Sequence, residues 1–137
     1  MEKTLILYYS LSGNTEKYAG ERAAAEGLDL CRVEEVRRRS KFAAFMPGIP
    51  QAIGQMKSKI KPLTADVGAY SRIIVATPVW AGSATPAINA AIALLPAGKT
   101  IDVVFVSQSG GAEAGDRIRK PIEVRSCTLG TITHIKK

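Results

Sequence analysis

A single histidine, a single tryptophan and two cysteines leave this 137-residue chain short of the side chains from which most catalytic and metal sites are built. His134 has no acidic residue near it in the sequence that would complete a Ser-His-Asp set. No group of Cys, His, Asp and Glu has metal-ligand spacing, so neither a metal site nor a catalytic side chain is expected. Cys31 and Cys127 lie in apolar, strand-like surroundings, which suits buried reduced thiols better than a disulfide framework. Aromatic residues make up only 6% of the chain and do not interleave with the basic ones. Stacking of single-stranded bases therefore has little support, and nucleic acid is not the expected partner. No apolar run is long enough to span a bilayer. The opening MEKTLILYYS carries a short apolar run without a signal-peptide cleavage pattern. Repeats and linker-like stretches are absent too. These absences suggest a soluble, cytoplasmic, single domain over residues 1–137, in which 46% hydrophobic residues can build one core.

Acidic residues are the minority charge, 12 against 19 Lys+Arg, for a net charge of +7. The basic residues gather at Arg37, Arg38, Arg39 and Lys41, at Lys57, Lys59 and Lys61, and at Arg117, Arg119 and Lys120. Such clusters are most often a solvated surface. They would also attract an anionic ligand or an acidic protein.

Turning to what is present, apolar runs alternate with helix-forming stretches. TLILYY (4–9) reads as a strand buried on both faces. TEKYAGERAAAE (15–26) reads as a helix stopped by Gly27. LDLCRVEEV (28–36), SRIIVATPV (71–79) and IDVVFVS (101–107) read as strands. PQAIGQMKSKI (50–60) suits a short helix. TPAINAAIALL (85–95) suits a helix with Thr85 as N-cap and Pro86 in the first position. GDRIRKPIE (115–123) reads as a weak helix broken near Pro121, and VRSCTLGTITHI (124–135) as a fifth strand or a bent pair. Strict alternation of strand and helix implies a parallel sheet with helices on both faces. Ligands of such sheets lie beyond the carboxyl ends of the strands, at the topological switch point.

Three loops should therefore carry function: SLSGNT, TPVWAGSAT and SQSGGAEAG. In the first, a helix N-terminus offers unpaired N–H groups, and Ser10, Ser12, Asn14 and Thr15 add donors around the backbone of Gly13. That combination suits a phosphate without a lysine. It equally suits an ordinary helix cap by Asn14 or Thr15. In the second, Trp80 stands among small residues and can lie against a flat ring or pack on the adjacent helix. Thr77, Pro78, Val79, Ala81 and Gly82 would offer backbone to a ring edge. The third loop, Ser107, Gln108, Ser109, Gly110 and Gly111, adds backbone donors and acceptors without charge. A phosphate at one loop and a planar, polar-edged ring between two others describes a flavin mononucleotide (FMN).

Three decoys are set aside. ALLPAGKT (93–100) approaches a nucleotide P-loop, but Ala93 replaces the first glycine, and the order is helix then strand. Cys31 and Arg37 have the spacing of a cysteine phosphatase, but Glu34 and Glu35 lie between them and would repel phosphate. Tyr9 and Ser10 stand where a phosphate-receiving carboxylate would be needed.

Over essentially its whole length the chain resembles the flavodoxin-like family, especially short members. SLSGNT looks like that family's phosphate loop, TPVWAGSATPAI like the segment placed against the isoalloxazine ring, and SQSGG occupies the place of the third flavin loop. The resemblance implies an α/β three-layer sandwich with a five-stranded parallel sheet of order 2-1-3-4-5 and noncovalent FMN. It implies a redox protein, either an electron carrier or an FMN-dependent NAD(P)H or quinone oxidoreductase, with an acidic redox partner as a further candidate. The basic balance and the lack of a second aromatic in the third loop point away from the carriers. Rival readings are a flavin-free interaction module of the same fold and a basic nucleic-acid-associated protein.

Overall fold

The computed structural model describes residues 3–10, 13–35, 60–79, 84–107 and 113–136. The described residues include five strands and three α-helices, in the order β1 (Thr4–Tyr8), α1 (Asn14–Glu26), β2 (Asp29–Arg32), β3 (Arg72–Pro78), α2 (Pro86–Ile92), β4 (Thr100–Ser107), α3 (Glu113–Val124) and β5 (Thr128–Lys136), with a short 3-10 helix at Val67–Ala69 before β3. The sheet is parallel, in the order β2-β1-β3-β4-β5. This is the order implied by the resemblance.

β1 is an interior strand whose side chains are buried on both faces: Leu5, Ile6 and Leu7 are fully enclosed. Each such side chain contributes about 1.5–3 kcal/mol by leaving water. On one face Leu5, Leu7, Ile73, Val75, Val103 and Phe105 meet Ile88 and Ile92 of α2 and Ile118 and Ile122 of α3. On the other, Ile6, Ile74, Ala76 and Val104 meet Ala19 and Ala23 of α1. Ala19 and Ala23 are four residues apart, one helical turn, and their small size lets the helix lie close to the sheet. Gly27 ends α1 in the left-handed conformation (φ 67°) that favours glycine.

Four expectations are revised. β2 ends at Arg32, and Glu35 instead forms an isolated antiparallel bridge with Ile60. α2 ends at Ile92, and its last turn tightens through bonds from Leu94 N–H to Ala91 O and Leu95 N–H to Ile92 O. Pro121 does not break α3, which runs through it to Val124. Burial of Ile118 and Ile122 on one helical face outweighs the single backbone bond that proline removes. The last stretch is a fifth strand, as one of its two readings had it, but it begins at Thr128 rather than at Val124, and its pairing with β4 has a register irregularity between Ile101 and Val103. There the Asp102 carboxylate accepts the Thr131 N–H at 2.8 Å, and Gly130 leaves room for it. Of the stretch 50–60, where a short helix was expected, residues 50–59 lie outside the described residues, and Ile60 is in the bridge to Glu35. Among the described residues no helix is long and apolar enough to cross a membrane.

Candidate functional site

β1 lies between β2 and β3, and β3 lies between β1 and β4. The connections after β1 and β3 therefore leave the carboxyl edge of the sheet towards opposite faces. The crevice between them is where ligands of such sheets bind. Ser107 ends β4 beside it, since Val106 pairs with Pro78 of β3. All three loops singled out in the sequence thus start from this one edge.

The first loop ends in a helix that no side chain caps. Gly13 is the N-cap residue of the 13-residue α1, with φ 100°, and no side chain among the described residues accepts a capping hydrogen bond from the first turn. This excludes capping by Asn14 or Thr15. The first intrahelical bond runs from Lys17 N–H to Gly13 O at 3.0 Å. The N–H groups of Asn14, Thr15 and Glu16 therefore have no intrahelical acceptor, and the positive end of the helix dipole faces the loop. Ser10 is buried, and its Oγ accepts the Gly13 N–H at 2.9 Å, which leaves its own hydrogen available. Thr15 is 2% exposed, and its hydroxyl forms no hydrogen bond among the described residues. Buried hydroxyls nearly always find partners. A side chain on Gly13 would meet nothing within 4 Å, so space is open beside the cap. These features fit a phosphate group: free N–H donors, a buried hydroxyl without a partner, and open space. Asn14 is exposed at the same helix end, and Ser12 lies outside the described residues.

The second loop is anchored at both ends. Thr77 is fully buried; its Oγ1 donates to Pro78 O at 2.9 Å and accepts the Thr85 N–H at 3.4 Å. Its hydroxyl is thus committed to holding the loop's two stems together. Thr85 in turn caps α2 by accepting the Ile88 N–H at 3.4 Å. Pro78 and Val79 are half-buried at the strand end, with Val79 packed on the core. Trp80, Ala81 and Gly82 lie outside the described residues, as do Gln108, Ser109, Gly110 and Gly111. Ser107 is the last residue of β4.

Two arrangements at this edge were not legible in the sequence. The Arg32 guanidinium, at the end of β2, donates to Glu16 Oε1 in the first turn of α1 at 2.9 Å and to the Ser10 carbonyl at 3.5 Å. Tyr8, its neighbour in the β1–β2 register, has its hydroxyl pushed up by burial and by the charge of Glu16, against the opposing pull of Arg32. The Tyr9 hydroxyl donates to Glu35 Oε1 at 2.6 Å in the buried interior, tying the segment after β2 to the root of the first loop. The only available sequence signal was the arginine interrupting LDLCRV. His134 is exposed and stacks on Phe105, with ring centroids 5.2 Å apart. Among the described residues no three His, Cys, Asp or Glu side chains could hold a metal.

An uncapped helix after the first strand of a 2-1-3-4-5 parallel sheet, with the ends of β3 and β4 at the same edge, defines a flavodoxin-like α/β protein. The comparisons make this more specific. The model of the family described as NADPH-dependent FMN reductase matches residues 4–129, and the chain belongs to that family. It is an FMN-binding redox protein of flavodoxin-like fold. No curated protein matches it. Among solved structures, it is similar to a flavoprotein from Lactobacillus acidophilus in complex with FMN, at 20% identity and a TM-score of 0.82, covering 98% of this chain and 93% of that one. It is also similar to a protein from Bacteroides eggerthii described as a flavoprotein, at 20% identity and a TM-score of 0.84, covering 98% and 88%. A more distant likeness is to a WrbA-like flavodoxin from Agrobacterium tumefaciens, at 13% identity and a TM-score of 0.60, covering 93% and 76%.

Proposed function

We propose that this chain is a flavin oxidoreductase that holds FMN noncovalently at the carboxyl edge of its sheet and takes reducing equivalents from NAD(P)H. FMN held there would supply the redox chemistry, and the protein would supply position and electrostatics. Ser10, Ser12, Asn14 and Thr15, with the Gly13 backbone, hold the phosphate. Thr77, Pro78, Val79, Ala81 and Gly82 contribute backbone to the ring edge. Trp80 covers the ring face, and Ser107, Gln108, Ser109, Gly110 and Gly111 close the other side. The observation that carries this reading is the end of α1, where N–H donors lack a cap and the buried Thr15 hydroxyl lacks a partner. That is a site prepared for an anion.

The substrate side follows from charge. With a net charge of +7, the surface favours phosphate-bearing nicotinamides as donors and an acidic redox protein or a small quinone as acceptor. Free, buried Cys31 and Cys127 suit a reducing compartment, and we place the protein in the cytoplasm. The test is an absorption spectrum of the purified chain with and without FMN, followed by NADPH oxidation with a quinone acceptor. A flavin band and FMN-dependent NADPH oxidation are expected. A chain that binds FMN but oxidises neither NADPH nor NADH would be an electron carrier. One that binds no flavin would be an interaction module.

A further inference from the structure

The Arg32 contacts go beyond loop and helix. The guanidinium reaches from the end of one strand to the first turn of the adjoining helix, across the root of the first loop. Glu16 is in that turn, beside the helix end whose N–H groups are free. A carboxylate there suits the isolated helix, because it faces the positive end of the dipole. It opposes an anionic ligand at the same end. A phosphate monoester carries about −1.5 to −2 charges near neutral pH. The Arg32–Glu16 pair is half-exposed, at 37% and 49% of the side-chain surface. Such pairs contribute little to folding stability, about 0–1 kcal/mol. Its placement bears on the ligand instead.

We propose that Arg32 is a positioning and specificity-determining residue for the phosphate end of the cofactor: it neutralises Glu16 and holds the Ser10 carbonyl, so that the first turn of α1 presents its donors to phosphate without a repelling carboxylate. This rests on the reading that the Ser10–Thr15 loop holds the phosphate. It adds that selectivity for FMN over riboflavin is set by a charge pair outside the loop. The two side chains act in opposite senses. Without Arg32, an uncompensated carboxylate faces the phosphate. Without Glu16, an uncompensated guanidinium faces it. With both neutralised, the net charge of the pair is again zero.

The experiment measures dissociation constants of the full-length apoprotein for FMN and for riboflavin by flavin fluorescence, at low and high salt. The proteins are wild type, Arg32→Gln, Glu16→Gln, the double variant and Arg32→Lys. The readout is the FMN-over-riboflavin preference, which a general loosening of the site would not move. Arg32→Gln is expected to lower that preference about fivefold, and Glu16→Gln to raise it by a similar factor, as for charges acting at a helix end. The double variant and Arg32→Lys should stay near wild type. Both effects should shrink as salt rises, because exposed charges are screened beyond about 8–10 Å. If both single variants lower the preference, Arg32 is only a strut, and the charge role is overturned. If neither moves it, the pair does not sense the phosphate. Glu16→Gln changes an exposed helix position, so it decides the matter even where Arg32→Gln folds poorly. A wild-type protein that binds FMN and riboflavin equally would instead overturn the phosphate reading of the loop, a distinct result.

Discussion

Replacing Thr15 by valine keeps the shape of a buried, β-branched side chain and removes only its hydroxyl. Thr15 is 2% exposed, and that hydroxyl has no hydrogen-bond partner among the described residues. A buried polar group without a partner costs about 1–3 kcal/mol. In the apoprotein the substitution should therefore stabilise the fold, by about 1 kcal/mol after allowing for partial relaxation. At this chain length such a gain corresponds to a rise in Tm of roughly 3–5 °C. With FMN the sign reverses. A hydrogen bond to a charged group contributes about 1.5–3 kcal/mol. Its loss should weaken FMN roughly tenfold to hundredfold, while riboflavin, lacking the phosphate, should bind as before. Calorimetric melts of the apoprotein and titrations with both flavins test the two halves separately. An apoprotein that is destabilised by Thr15→Val would mean that the hydroxyl already has a partner. An unchanged FMN-to-riboflavin ratio would mean that the phosphate does not meet Thr15.

Asp102 offers a test of the sheet. Its burial favours the neutral form, but the bonds from Arg72 and the Thr131 N–H outweigh it and hold the carboxyl below its ordinary value of 3.8. A depressed folded value stabilises the protein above the unfolded value, and that contribution is lost as pH falls from about 4 through the lower folded value. Asp102→Asn should flatten this acid limb in pH-dependent melts; an unchanged limb would place the acid sensitivity elsewhere. Gly130→Ala would drive a methyl group into the Asp102 carboxylate and should cost about 1–3 kcal/mol in urea unfolding. Pro121→Ala restores a backbone donor within α3 and should stabilise by about 1–3 kcal/mol; a loss would show that the proline ring packs better than it hinders. The lone Trp80 should be quenched when FMN is added, and Trp80→Ala should weaken FMN; unchanged affinity would make it a packing residue.

The strands were legible because a parallel sheet covered on both faces leaves continuous apolar runs, as in LILY and IIVA. The end of α1 and the cap on α2 were legible because Gly27, Thr85 and Pro86 have local consequences. The first loop was legible as a set of donors, but whether Asn14 or Thr15 caps the helix depends on backbone geometry that composition does not carry. Other features were hidden because their partners are distant in the chain. Arg32 meets residues 16 and 22 positions away. Tyr9 meets Glu35, which leaves the strand expected to contain it. The irregularity between β4 and β5 depends on Asp102 reaching Thr131, 29 positions on. Pro121 was misread because a local rule about proline met a non-local gain, the burial of Ile118 and Ile122 against the sheet.

A crystal structure of the chain grown with FMN would test the central claim most directly. The phosphate is expected against the N–H groups of Asn14, Thr15 and Glu16, with the Thr15 hydroxyl donating to it and the isoalloxazine ring between residues 77–82 and 107–111. A phosphate seated anywhere else, with α1 still uncapped, would contradict the account.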